Sequence, residues 1–153
     1  MTERMTKTAV RRIQVEERKA MRSKFRQSAF MSKTRNVYAA QVRRAGELSL
    51  PVEYTLDALR ELVEAALVAG ECCYCSGRLT LSKLAVDHAV PVSRGGMFTI
   101  GNLRACCQSC NWRKGKMTAE EFAELSAFVT SRFPADVVAD IWRRLVVGGR
   151  WAL

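Results

Sequence analysis

Glu71-Cys72-Cys73-Tyr74-Cys75-Ser76-Gly77 and Cys106-Cys107-Gln108-Ser109-Cys110-Asn111 decide how this chain is read. Each stretch holds one Cys-x2-Cys knuckle, Cys72/Cys75 and Cys107/Cys110, with 31 residues between Cys75 and Cys107. A knuckle lets two sulfurs reach one ion from a single tight turn, and four thiolates satisfy a tetrahedral Zn²⁺ at about 2.3 Å per bond. The interval exceeds the roughly 15–20 residues of a simple zinc ribbon, so a structural insert lies between the knuckles. Cys73 and Cys106 sit beside ligands and read as small packing residues. Disulfides are the competing reading. The N-terminus MTERMTK is charged and has no apolar segment of a signal peptide, which points to a reducing compartment where thiols serve metals. A thiol redox protein would need a βαβ pattern around its CxxC, and none is visible.

The rest of the chain supports a small zinc-stabilised body with a basic arm. It has 153 residues and a formal net charge of +10. Residues 1–46 hold 13 Lys+Arg against three Asp+Glu, and residues 47–153 hold 12 of each. All of the excess positive charge therefore lies on the first 46 residues, a layout suited to displacing counterions from nucleic-acid phosphates. No window approaches about 18 consecutive apolar residues, so nothing reads as a membrane span.

The periodicity predicts a mostly helical α+β chain. A basic helix is expected over 9–31, with Ile13, Met21, Phe25 and Ala29 at helical spacing, and a second over 35–45, stopped by Gly46. Thr55–Ala69 carries an apolar face through Leu56, Leu59, Leu62, Val63, Ala66 and Leu67, with Gly70 as its terminator. Leu79–Asp87 and Leu103–Cys106 read as strands, and Gln108–Lys114 as a short helix. Thr118 and Glu121 form a capping box that opens a helix near Ala119, and Pro134 opens a last helix to about Val147. Phe122, Leu125, Phe128, Val129, Ile141 and Leu145 are expected to be core. The domain expectation is an arm over 1–46 and a body over 47–153, with a finger at 71–117 and C-terminal helices at 119–147.

The insert contains the only His of the chain. It reads Val86-Asp87-His88-Ala89-Val90-Pro91-Val92-Ser93-Arg94-Gly95-Gly96, followed by Asn102-Leu103, and the second knuckle runs on through Asn111-Trp112-Arg113-Lys114-Gly115. Asp supplies a hard oxygen suited to Mg²⁺ or Mn²⁺, and His a base that titrates near neutrality. Asn111 directly follows a zinc-binding Cys, so the knuckle fixes its place.

Two CxxC pairs, the DH pair, the P-x-S-R-G-G loop, the NL pair and the CN-x-x-KG end, in this order, resemble the HNH endonuclease family and its ββα-metal finger. The resemblance covers about residues 71–117. One position departs: the third signature residue, often His, is Asn111.

The resemblance implies a metal-dependent endonuclease that hydrolyses DNA and leaves 5′-phosphate and 3′-hydroxyl ends. It casts His88 as general base and Asp87 with Asn111 as holders of one divalent cation. Asn102 braces the His88 loop, and Cys72, Cys75, Cys107 and Cys110 hold a structural zinc. Arg94, Arg113, Lys114 and Lys116 near the site, with Arg11 and Arg12 in the arm, are expected at DNA phosphates. Trp112 is expected to pack. The setting this implies is the cytoplasm of a bacterial cell, beside the nucleoid, in a phage or mobile element. A non-catalytic zinc-stabilised nucleic-acid-binding module is the alternative.

Overall fold

The computed structural model describes residues 7–148. Its elements, in order, are α1 (Lys7–Glu47), β1 (Val52–Glu53), α2 (Leu56–Ala69), β2 (Leu84–His88), β3 (Phe98–Thr99), β4 (Leu103–Cys107), α3 (Gln108–Lys114), α4 (Ala119–Arg132) and α5 (Ala135–Gly148). No helix among the described residues is long and apolar enough to cross a membrane.

The two N-terminal helices expected from the sequence are one. The predicted break near residues 32–34 does not occur, because nothing there is incompatible with a helix. Thr34 is buried, and its hydroxyl donates to the carbonyls of Met31 and Phe30 at 3.2 and 3.0 Å, so it needs no partner outside the helix. The terminator is also displaced from Gly46. Ser49 takes the left-handed conformation at φ 55°, and the Leu50 and Ser49 amides donate to the carbonyls of Ala45 and Gly46 at 2.9 and 3.1 Å. This is a Schellman closure with its hydrophobic contact, since Leu50 packs on the core that holds Ala45.

α2 and α4 form as expected. Thr55 accepts from the Ala58 amide, and Gly70 ends α2 at φ 72°. Both halves of the Thr118/Glu121 capping box are made. The first finger strand is shorter than predicted. Residues 80–83 form a turn closed by the Lys83 amide on the Thr80 carbonyl, with the Thr80 and Ser82 hydroxyls 3.0 Å apart, so the strand starts at Leu84.

β2 and β4 pair antiparallel, from Leu84 opposite Cys107 to His88 opposite Leu103. Alternation along this ladder sends side chains to two separate cores. Leu84, Leu103 and Ala105 join Leu59 and Val63 of α2, Ala45 of α1, Tyr54 and Phe98. Ala85 and Cys106 meet Cys72, Cys110, Phe122 and Trp142 on the other side. Phe30, Val37 and Tyr38 of α1 pack on the first core, so the C-terminal part of α1 belongs to the body, not to a separate arm. By contrast, every described side chain from Glu16 to Ser28 is exposed, Met21 included. The boundary between arm and body thus falls inside α1, near Ala29, instead of at residue 46.

In the C-terminal helices, Phe122 and Val129 are buried as expected, but Phe128 and Leu145 are exposed and Trp142 fills the core instead. Trp142 and Tyr74 both meet Phe122 edge-on, with centroids 5.5 and 5.3 Å away.

Phe98 is fully buried, and its short strand pairs parallel with Val52 and Glu53. It joins the N-terminal segment to the loop beyond His88. Phe98→Ala is expected to cost about 3–5 kcal/mol of stability through the cavity it leaves. Urea denaturation checks this, and a cost below about 1 kcal/mol would mean the core closes over the gap.

Candidate active site and metal centre

The zinc-type site is built from two turns brought together by the β2–β4 ladder. In the first, the Ser76 amide donates to the Cys72 carbonyl and the Cys72 amide to the Gly77 carbonyl, both at 2.9 Å. The second is the passage from β4 into α3. The four Sγ atoms of Cys72, Cys75, Cys107 and Cys110 lie within 4.8 Å of one another. A tetrahedral ion at about 2.3 Å from each would put them about 3.8 Å apart, and Cys75 and Cys107 stand at 4.0 Å. The donor set therefore fits zinc. Amides of Cys107 and Tyr74 donate to the Cys72 sulfur at 3.2 and 3.5 Å. Burial pushes the Cys72 thiol up, but these bonds to the charged sulfur outweigh it and bring the thiol down to about 7.

Of the two extra cysteines, Cys106 is fully buried in the second core as expected. Cys73 is exposed, against the expectation that it packs.

Asp87 and His88 end β2, and as neighbours on a strand they face opposite ways. Asp87 is buried on the side of α3. Its Oδ2 accepts from the Tyr74 hydroxyl at 2.6 Å. The Lys114 ammonium lies 3.0 Å from the same oxygen and 3.3 Å from Oδ1. It also donates to the His88 carbonyl at 2.7 Å. Lys114 was expected at the DNA surface, but it has no exposed side-chain area, because its stem crosses the interior to reach Asp87. It therefore cannot serve as a phosphate contact from this position.

His88 is buried on the other side. Its ring meets Phe98 edge-on at 5.1 Å and 84°. Nε2 is sealed from solvent without a partner. Burial lowers the His88 pKa below its ordinary value. Asp87 opposes this, while the cationic Arg44 and Lys114 add to it. The shift favours the neutral imidazole, the form that can accept a proton.

Asn102 braces the loop that follows. Its side-chain oxygen accepts from the Val90 amide at 2.8 Å, and its Nδ2 donates to the carbonyls of Val90 and Met97 at 3.0 and 2.9 Å. The Ala89 amide donates to the Asn102 carbonyl at 2.7 Å. Gly96 closes this loop, and a Cβ there would come within 1.9 Å of the Val90 carbonyl oxygen. Asn111 is half-buried on α3, one turn before Lys114 and so on the face that meets β2.

The remaining predicted DNA contacts differ in their surroundings. Arg94 pairs with Glu121 and reaches the Lys116 carbonyl at 3.4 Å, tying the loop to α4. The Arg113 guanidinium lies 5.7 Å from the Trp142 ring centroid. Lys116 is exposed. The side chains of Arg11 and Arg12 lie outside the described residues. Trp112, expected to pack, is 63% exposed. It lines a shallow groove of about 480 Å³ with Arg78, Lys83, Gln108, Ser109 and Arg113 at the zinc end of the ladder.

Residues 72–125 match the HNH endonuclease family. Among curated proteins none matches the chain. The HNH match begins at the first knuckle cysteine and runs into α4, so it takes in both metal knuckles, the ladder and the Asp87–His88 end. Three residues packed around the Asp87–His88 pair were not singled out in the sequence: Tyr74, Phe98 and Arg44. The last two lie where only folding brings them to His88. Tyr74 stands between two knuckle cysteines, and nothing in its spacing marks it as a partner of Asp87.

Cys75→Ala or Cys110→Ala is expected to lose bound zinc and cooperative unfolding, whereas Cys73→Ser keeps both. Metal analysis with thermal denaturation checks this. Full zinc content in either of the first two variants would sink the four-cysteine assignment.

Proposed function

We propose that this protein is a nuclease that hydrolyses DNA phosphodiester bonds, with His88 as general base. The observation that carries the reading is the state of His88: held by Phe98, sealed at one nitrogen, and shifted toward the neutral form by burial. A base for phosphodiester hydrolysis must be fixed in direction and unprotonated at working pH. In this reading the imidazole takes the proton of the attacking water. Asn102 keeps the loop beyond His88 in register, so the ring does not drift from the phosphate.

Asp87 and Asn111 would hold a Mg²⁺ or Mn²⁺, since a carboxylate and a carboxamide are hard oxygen donors of the right kind. When bound, such a cation neutralises charge on the phosphorane and on the leaving 3′ oxygen. Cys72, Cys75, Cys107 and Cys110 would hold a zinc that stands apart from the chemistry and pins the ladder.

The outer half of α1 is the proposed grip on the duplex. Arg18, Lys19, Lys24 and Arg26 are exposed there, and such cations bind phosphates with little sequence readout. The groove beside Trp112, with Arg78 and Lys83, offers a second cationic surface with an aromatic face for a base. A non-catalytic zinc module would also account for the knuckles and for α1. It gives no reason for a buried Asp87–His88 pair.

Incubation of plasmid DNA with the zinc-loaded protein and Mg²⁺ or Mn²⁺ is expected to give nicked or linear product. His88→Ala should lower the rate by about 100-fold or more with zinc retained. Equal cutting by His88→Ala would remove the base, and no cutting by the parent under any divalent cation would favour the binding module.

Deletion of residues 1–28 spares the part of α1 that packs on the core. It is expected to weaken DNA binding and to flatten its dependence on salt, by about 0.9 in log–log slope for each phosphate that the outer helix neutralises. An unchanged slope in a filter-binding series would take the outer helix out of the interface.

A further inference from the structure

Among the described residues of this strongly basic chain, Lys114 is a fully buried cation, and its surroundings are specific. Its three ammonium protons face three oxygens: both carboxylate oxygens of Asp87, at 3.0 and 3.3 Å, and the His88 carbonyl at 2.7 Å. Tyr74 adds a third contact to the same carboxylate. Two carboxylate oxygens and a backbone carbonyl are donors that a hard divalent cation also takes. The ammonium therefore stands on the carboxylate that a metal at Asp87 would need. A monocation and a dication cannot share it at about 4 Å in a buried setting without strong repulsion.

The local backbone suits a side chain that can be rearranged. Lys114 is the last residue of α3, and Gly115 follows at φ 53°, ψ −117°, where the chain leaves the helix sharply. A four-carbon stem with a single rotatable charge adapts to a new anion more readily than a planar guanidinium.

We propose that Lys114 is a built-in cation that occupies the metal position of the free protein, and that a divalent ion binds Asp87 only as the ammonium leaves it. This rests on the nuclease reading for the role of Asp87 and adds the regulation of that site. The displaced ammonium needs another anion, and the phosphate of bound DNA supplies one. Metal and DNA then bind with positive coupling, each easing entry of the other. Without DNA, the protein holds divalent ions weakly.

The test compares Mn²⁺ affinity, by calorimetry on zinc-loaded protein without DNA, for the parent, Lys114→Met and the double variant Lys114→Met/Asp87→Asn. Lys114→Met should bind Mn²⁺ at least about tenfold more tightly than the parent, and Asp87→Asn should abolish the gain. Equal or weaker binding by Lys114→Met, or a gain that survives Asp87→Asn, overturns the proposal. A second measurement needs no variant to fold. Acylation of the parent's lysines, read by mass spectrometry, should find Lys114 protected in the absence of Mn²⁺ and labelled at saturating Mn²⁺. Continued protection with Mn²⁺ bound also overturns it. Neither readout depends on DNA being cut, so failure of this inference and failure of the nuclease reading are separate results.

Discussion

The antiparallel pairing of Leu84–His88 with Leu103–Cys107 is the constraint from which the rest of the structure follows. At one end its register sets Cys107 beside the first knuckle, so that four sulfurs gather on one point. At the other it sets Ala89 and Val90 against Asn102, which closes the loop after His88. A two-stranded ladder is marginal in water by itself. Here four cysteines placed to hold a metal ion gather at one end, a carboxamide braces the other, and both faces are covered.

Covering both faces has an electrostatic result. Alternation along β2 puts Asp87 in one interior and His88 in the other, although they are adjacent in the chain. Each then meets a different environment. Asp87 is compensated by an ammonium and a phenol. His88 meets the edge-on ring of Phe98, and desolvation favours its neutral form. Neighbouring residues thus carry opposite electrical duties, while Lys114 binds the Asp87 carboxylate and the His88 carbonyl together.

Much of this was legible in the sequence where the signal is local. The knuckles, the Thr118/Glu121 box and the Thr55–Gly70 helix depend on residues within a few positions of one another, and all appear as read. The Asn102 brace follows from the resemblance. What escaped depends on distant packing. Lys114 reads as surface charge until β2 lies beneath α3, and Trp112 reads as core until α5 supplies Trp142 in its place. The sequence divides α1 into two helices, but the Thr34 hydroxyl between them is satisfied by its own helix and the helix runs on. The terminator was placed at Gly46 on residue type, while the left-handed position belongs to Ser49.

α1 is both a wall of the core and the carrier of the exposed cations. Between Lys7 and Ala45 it contains neither Gly nor Pro, and from Arg26 to Ala45 it spans about 30 Å as a continuous helix. A disordered basic tail reaches over a range of distances and forgets where it is anchored. A helix seated on the core keeps one distance and one bearing. The separation between the outer cations and the Phe98–His88 contact is therefore a dimension of the molecule, and the helix works as a ruler where a tether would only confine.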